Sequence, residues 1–125
     1  MEDELTYKVI GCAMKVHNEL GTGFQERIYQ RSLQIELENA GLSFRREVEQ
    51  PIYYHNINVG KRKADFVVEE QIIVELKALA NIEDIHIIQA RNYLVAFNFP
   101  IGLLINFGAG SLQYKRIFNP NISHN

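Results

Sequence analysis

The hydrophobic period of this chain changes at Gly41 and changes back near Asn81, which restricts it to folds that mix helix and strand. Before Gly41 the period is helical. Leu5, Val9, Ala13, Val16 and Leu20, flanked by Ile10, Met14 and His17, predict a first helix over residues 3–20, which Gly21-Thr22-Gly23 ends. Tyr29, Leu33, Leu37 and Ala40 predict a second from Phe24 to Ala40, and Gly41 is a natural stop because it tolerates the left-handed conformation. From Phe44 the period is two. Phe44, Arg46, Val48, Gln50, Ile52 and Tyr54 alternate with Arg45, Glu47, Glu49, Pro51 and Tyr53, and Pro51 suits an edge or a bulge. His55–Gly60 reads as a turn. Residues 61–68 and 72–78 read as strands joined by Glu69-Glu70-Gln71. Asn81–Phe99 returns to helix, with Ile85, Ile88, Tyr93, Leu94 and Phe97 available for packing, and Pro100 stops it. Ile101–Phe107 is an apolar strand of the buried kind, Leu112–Phe118 is a last strand, and Asn119–Asn125 reads as a frayed tail. The order α-α-β-β-β-α-β-β predicts a mixed α/β fold around one sheet, in one domain spanning residues 1–125.

Composition narrows the function classes. Thirteen Lys and Arg against fifteen Asp and Glu give a net charge of −2, which excludes a histone-like polycation but not a local basic groove. The one cysteine, Cys12, has no partner for an internal disulfide, and no Cys/His spacing points to zinc. No apolar run reaches the length of a membrane span, and MEDELTYK lacks a signal-peptide profile, so a soluble, cytoplasmic protein is expected.

The hairpin 61–78 carries the chemistry. A three-residue loop sets Val68 against Ile72 and Phe66 against Val74. Strict alternation then sets Asp65 against Glu75 and Lys63 against Lys77 on one face. The other face carries Ala64, Phe66, Val74, Leu76 and Ala78. Opposed carboxylates repel unless a cation lies between them, and oxygen ligands without Cys or His suit Mg²⁺ or Mn²⁺. The same four charges also make a surface salt-bridge cluster with no further role. Glu75-Leu76-Lys77 is a cheap triplet, since chance gives about one acid-x-Lys in such a composition. Its setting in the apolar strand IIVELKA is what marks it, because charges there cost burial energy. On the following helix His86, Gln89 and Tyr93 share one polar face. Glu26 opens the second helix, where the dipole alone favours an acid. Tyr29, on the same side, is expected to pack.

Taken together these residues resemble a known family. Gly23-Phe24-Gln25-Glu26-Arg27-Ile28-Tyr29 matches the pattern of the GxxExxY proteins, which are placed in the PD-(D/E)XK nuclease superfamily. The resemblance covers almost the whole chain, through ADFVVEEQIIVELKAL, IHIIQARNYL, IGLLINFG and the closing KRIF. It implies a restriction-endonuclease-like αβββαβ core, with residues 24–41 as its first helix, an extra N-terminal helix and a C-terminal strand. Asp65 takes the place of the motif aspartate, Glu75-Leu76-Lys77 that of (D/E)-x-K, and Glu26 resembles the acid often supplied by the first core helix. Gln89-Ala90-Arg91-Asn92-Tyr93 matches the Q-x-x-x-Y element of RecB-like nucleases. The proline that often precedes the motif aspartate is replaced by Ala64.

The resemblance implies metal-dependent hydrolysis of phosphodiesters in nucleic acid, with DNA the expected substrate. Asp65, Glu75 and the Leu76 carbonyl would hold Mg²⁺ or Mn²⁺, with Glu26 joining directly or through water. Lys77 would orient or deprotonate the attacking water, positioning being the role that suits an ammonium among carboxylates. Gln89 would hold the water or phosphate, and Tyr93 would line the site. Lys61, Arg62, Lys63, Arg91, Lys115 and Arg116 are candidates for backbone contacts, although Lys61-Arg62-Lys63 also reads as a solvated turn end. A homodimer with the N-terminal helix as interface is compatible with this. The rivals are an inactive nuclease-fold module that binds nucleic acid or protein, and a hydrolase of small phosphorylated molecules.

Overall fold

The computed structural model describes residues 2–122, apart from the side chains of residues 2 and 3. The elements run in the expected order: α1 (Glu2–Leu20), α2 (Glu26–Asn39), β1 (Phe44–Tyr54), β2 (Ile57–Val68), β3 (Ile72–Lys77), α3 (Asp84–Phe97), β4 (Ile101–Asn106) and β5 (Gln113–Phe118). The five strands form one sheet in the order β1-β2-β3-β4-β5. Only β3 and β4 pair in parallel, because α3 crosses between them.

The helices cover both faces. Leu5, Val9, Ala13 and Val16 of α1, with Tyr29, Leu33 and Leu37 of α2, pack on Phe66, Val68, Ile72, Val74, Leu76, Leu103 and Ile105. On the opposite face Ala90 and Leu94 of α3 pack on Ala64, Val67, Ile73, Leu104 and Ile117. The N-terminal helix is thus part of the core, and of its large apolar residues only Tyr7 and Met14 are exposed. Leu94 comes so close to Gly102 that a Cβ there would lie 2.9 Å from it. Gly41 ends α2 as expected, at φ 74. Its N–H donates to the Glu38 carbonyl and the Leu42 N–H to the Leu37 carbonyl, which closes a Schellman motif.

Four expectations are corrected. Residues 57–60 belong to β2, and the turn is only His55-Asn56, both at positive φ, as a two-residue hairpin that matches the right-handed strand twist requires. Helix α2 starts at Glu26 and α3 at Asp84, later than periodicity indicates. A Glu83–His86 capping box fixes the start of α3. Ile85 and Ile88 are exposed, because Ile87, Ala90, Leu94 and Phe97 form the stripe that meets the sheet. Of the expected frayed tail, residues 123–125 lie outside the described residues. Asn119, by contrast, is buried, and its amide donates to the Leu94 and Phe99 carbonyls.

Candidate active site

The β2–β3 ladder has the expected register, with Phe66 against Val74, Val67 against Ile73 and Val68 against Ile72. It goes no further. Where the next pair would form, the Asp65 Oδ2 accepts the Leu76 N–H at 2.8 Å, so a side chain takes the place of a strand carbonyl. On the other flank Glu47 of β1 has φ 52, between the pairs Arg46–Phe66 and Val48–Ala64. The alternation of β2 breaks here. Phe66 packs toward α1 and α2, yet Ala64, two residues away, packs toward α3 with Ala90 and Leu94. Ala64 therefore leaves the face assigned to it by strict alternation, and so does Lys63. Lys61 pairs with Glu49 at 2.6 Å and Lys63 lies 3.9 Å from Glu47, all of them exposed. Arg62, one of the candidates for backbone contacts, lines the cleft together with Glu75.

That cleft has a volume of about 300 Å³ and is walled by Ile52 and Arg62 of the β1–β2 hairpin, Glu75 and Lys77 of β3, and His86, Gln89, Asn92 and Tyr93 of α3. The Gln50 side-chain amide donates to the Ala96 carbonyl and fastens the hairpin to α3. Lys77 is held at the end of β3 from both its own backbone and the turn after it. Its carbonyl accepts the Phe107 N–H at 2.9 Å. Buried Asn106 pairs with both the N–H and the C=O of Leu79, and its amide also donates to Gln113. Gly108 is required beside this clamp, since a Cβ there would lie 2.3 Å from the Leu79 carbonyl oxygen.

Glu75 and Asp65 interact directly. Glu75 is 8% exposed, and its Oε1 is buried without a hydrogen-bond partner. Burial first, then the charge of Asp65, pushes the Glu75 carboxyl well above the ordinary carboxylate range. Burial also raises Asp65, against the opposing hydrogen bonds from the Leu76 N–H and from Gln30. Glu26 is accessible at the start of α2, where desolvation, opposed by Lys77 and reinforced by Asp65, raises its carboxyl as well. The Lys77 ammonium favours the charged form of all three acids. None of the three takes part in an ion pair within 4.0 Å among the described residues, so the surface salt-bridge cluster is not what forms. Nor do the acids gather into one compact group: among the described residues no three of His, Cys, Asp and Glu converge closely enough to hold a metal ion. The donor set is a carboxylate pair with Glu26 outside it. An unpaired buried carboxylate oxygen beside a second carboxylate fits a hard divalent cation, and Mg²⁺, which keeps several waters, needs few protein ligands.

One residue of the site goes beyond the sequence reading. Gln30, 7% exposed, donates from Nε2 to Asp65 Oδ1 at 2.8 Å. The available signal is a glutamine four residues after Glu26, on a helix side otherwise buried through Tyr29, Leu33 and Leu37. Of the three basic residues 61–63 offered as backbone-contact candidates, Arg62 is the one that lines the cleft. Tyr29, expected to pack, does so and more. It is fully buried, stacks on Phe107 at 4.7 Å, donates to the Gly21 carbonyl at 2.6 Å and accepts the Phe24 N–H at 3.3 Å. It thereby fixes the loop that delivers Glu26. Gln89 is exposed on the cleft wall. Tyr93 carries the Arg62 guanidinium 5.1 Å above its ring, and its hydroxyl meets the Lys63 backbone amide. Of the other basic candidates, Arg91 and Lys115 are exposed outside the cleft, and Arg116 Nε donates to Thr6 Oγ1 at 3.0 Å.

A family model described as the PD-(D/E)XK nuclease superfamily matches residues 3–117. The crystal structure of SSO0001 superposes with a TM-score of 0.61 at 21% identity, over 77% of this chain and 50% of that one. The chain thus spans about half the length of that structure, and the likeness establishes the restriction-endonuclease-like fold. No curated protein matches the sequence. Among the described residues no helix is long and apolar enough to cross a membrane.

Proposed function

The chain belongs to the PD-(D/E)XK nuclease superfamily, and on that premise we propose that it is a Mg²⁺- or Mn²⁺-dependent nuclease of the GxxExxY subgroup that hydrolyses DNA. The observation that carries the reading is the Glu75 Oε1, buried and unpartnered beside Asp65 with Lys77 in reach. Such an arrangement is costly in a purely structural strand and favourable around a cation.

Asp65, Glu75 and the Leu76 carbonyl would hold the ion, which when bound supplies a Lewis acid for the phosphate and a more acidic water. The Leu76 N–H and Gln30 fix both oxygens of Asp65, so this ligand is oriented before substrate arrives. Lys77 positions the attacking water and offsets charge on the phosphate. Gln89 reaches the same space from α3, and Tyr93 forms its wall. Glu26, outside the carboxylate pair, acts through water.

The test incubates the protein with plasmid, linear and single-stranded DNA, and with RNA, in Mg²⁺, Mn²⁺ or EDTA. Cleavage that needs the metal and is lost in both Asp65→Ala and Lys77→Ala supports the proposal. Retention of nucleic acid without cleavage in any metal refutes it. That outcome would favour an inactive nuclease-fold module, the reading that the absence of a three-acid group among the described residues supports.

A further inference from the structure

We infer that the hairpin side of the cleft is an anion subsite that seats a backbone phosphate of nucleic acid, anchored by the Arg62 guanidinium. This rests on the nuclease reading and deepens it. A polyanion approaching the cleft meets Glu75, whose charge is reinforced by Asp65 against it. Lys77 and Arg62 are the two cations in the cleft wall, and Lys77 is already close to Glu26, Asp65 and Glu75. Arg62 forms no ion pair among the described residues, and its Nε–H is buried without an acceptor. A guanidinium is rarely left so, because an unmet buried donor on a charged group is costly. A phosphate oxygen supplies the missing acceptor, and the planar fork matches it in two bonds.

The neighbouring lysines are occupied otherwise. Lys61 pairs with Glu49 and Lys63 faces Glu47 on the exposed side of the hairpin. Arg62 alone of the basic run is turned inward, by the break in alternation at Asp65. The Tyr93 ring holds its guanidinium in place while leaving its fork free, and a cation over an aromatic face keeps its charge. Gln89 and Asn92 add amide donors on the facing helix. The subsite thus shares its cleft with Glu75 of the carboxylate pair and with Lys77.

The test measures binding of a fluorescent oligonucleotide by anisotropy in EDTA, where cleavage does not interfere, across a salt series. Arg62→Gln should weaken binding by about tenfold and flatten the log K against log[salt] slope by about 0.7–0.9, the loss of one phosphate contact. Arg62→Lys keeps the charge and should restore the slope while recovering only part of the affinity. Lys8→Gln, an equal charge loss on α1, should leave both unchanged. Arg62→Gln that melts like wild type and binds with wild-type affinity and slope overturns the subsite, as does Arg62→Lys if Arg62→Gln fails to fold and the lysine variant behaves as wild type in both affinity and slope. Cleavage by wild type in Mn²⁺ alongside those results leaves the nuclease reading standing, whereas neither binding nor cleavage by wild type overturns both.

Discussion

Replacing Glu75 with glutamine tests the carboxylate pair at its least comfortable point. The amide keeps the shape of the side chain, removes its charge and gains N–H donors that can meet Asp65. The folded Glu75 carboxyl titrates well above its ordinary value of 4.5, from burial and then the charge of Asp65. A raised folded pKa means that the native state holds the proton more tightly than the unfolded chain. The associated stability is complete below about pH 4.5 and is lost as pH rises through the folded pKa. In EDTA the wild-type Tm should therefore fall relative to Glu75→Gln as pH rises from about 4.5 through the raised folded pKa, with the variant the more stable above it. A bound cation reverses the order. At a hundred times its Kd a ligand of the folded state adds about 2.7 kcal/mol. For 125 residues the unfolding entropy is about 0.26 kcal/mol/K, so Mn²⁺ should raise the wild-type Tm by about 10 °C and that of the variant by far less. Differential scanning calorimetry over pH, with EDTA and with Mn²⁺, reads both effects. An equal Mn²⁺ shift in the two proteins, or a wild-type Tm in EDTA that climbs with pH relative to the variant, refutes the reasoning.

Other residues give independent checks. Tyr29→Phe removes the hydroxyl that joins Gly21 to Phe24, and should cost about 1–2 kcal/mol in urea unfolding and slow cleavage by loosening Glu26. Gln30→Leu removes a hydrogen bond that favours charged Asp65, so the acid limb of the cleavage pH profile should move to higher pH; an unmoved limb counts against Gln30 as the orienting donor. Gly108→Ala should fail to fold or melt far below wild type, since its Cβ would meet the backbone of Leu79. Lys61→Gln should leave the urea midpoint at the wild-type value, because its pair with Glu49 is exposed and screened by solvent.

The order of elements and the register of the β2–β3 hairpin were legible in the sequence, because both come from local rules. Apolar residues repeat at 3.6 in a helix and at 2 in a strand, and a short loop fixes which residues face each other. The juxtaposition of Asp65, Glu75 and Lys77 was legible for the same reason, whereas Glu26 was brought to them only by the family resemblance. The tertiary structure decided what depends on contacts between distant segments. Whether Ile88 or Ala90 meets the sheet is set by how α3 lies on it. Gln30 reaches Asp65 only because α2 crosses the place where β2 leaves β3. The exchange of Lys63 for Arg62 in the cleft comes from that same departure. A periodic pattern assumes a ladder that continues, and a side-chain carboxylate that captures the Leu76 amide ends the β2–β3 ladder where no local propensity records it.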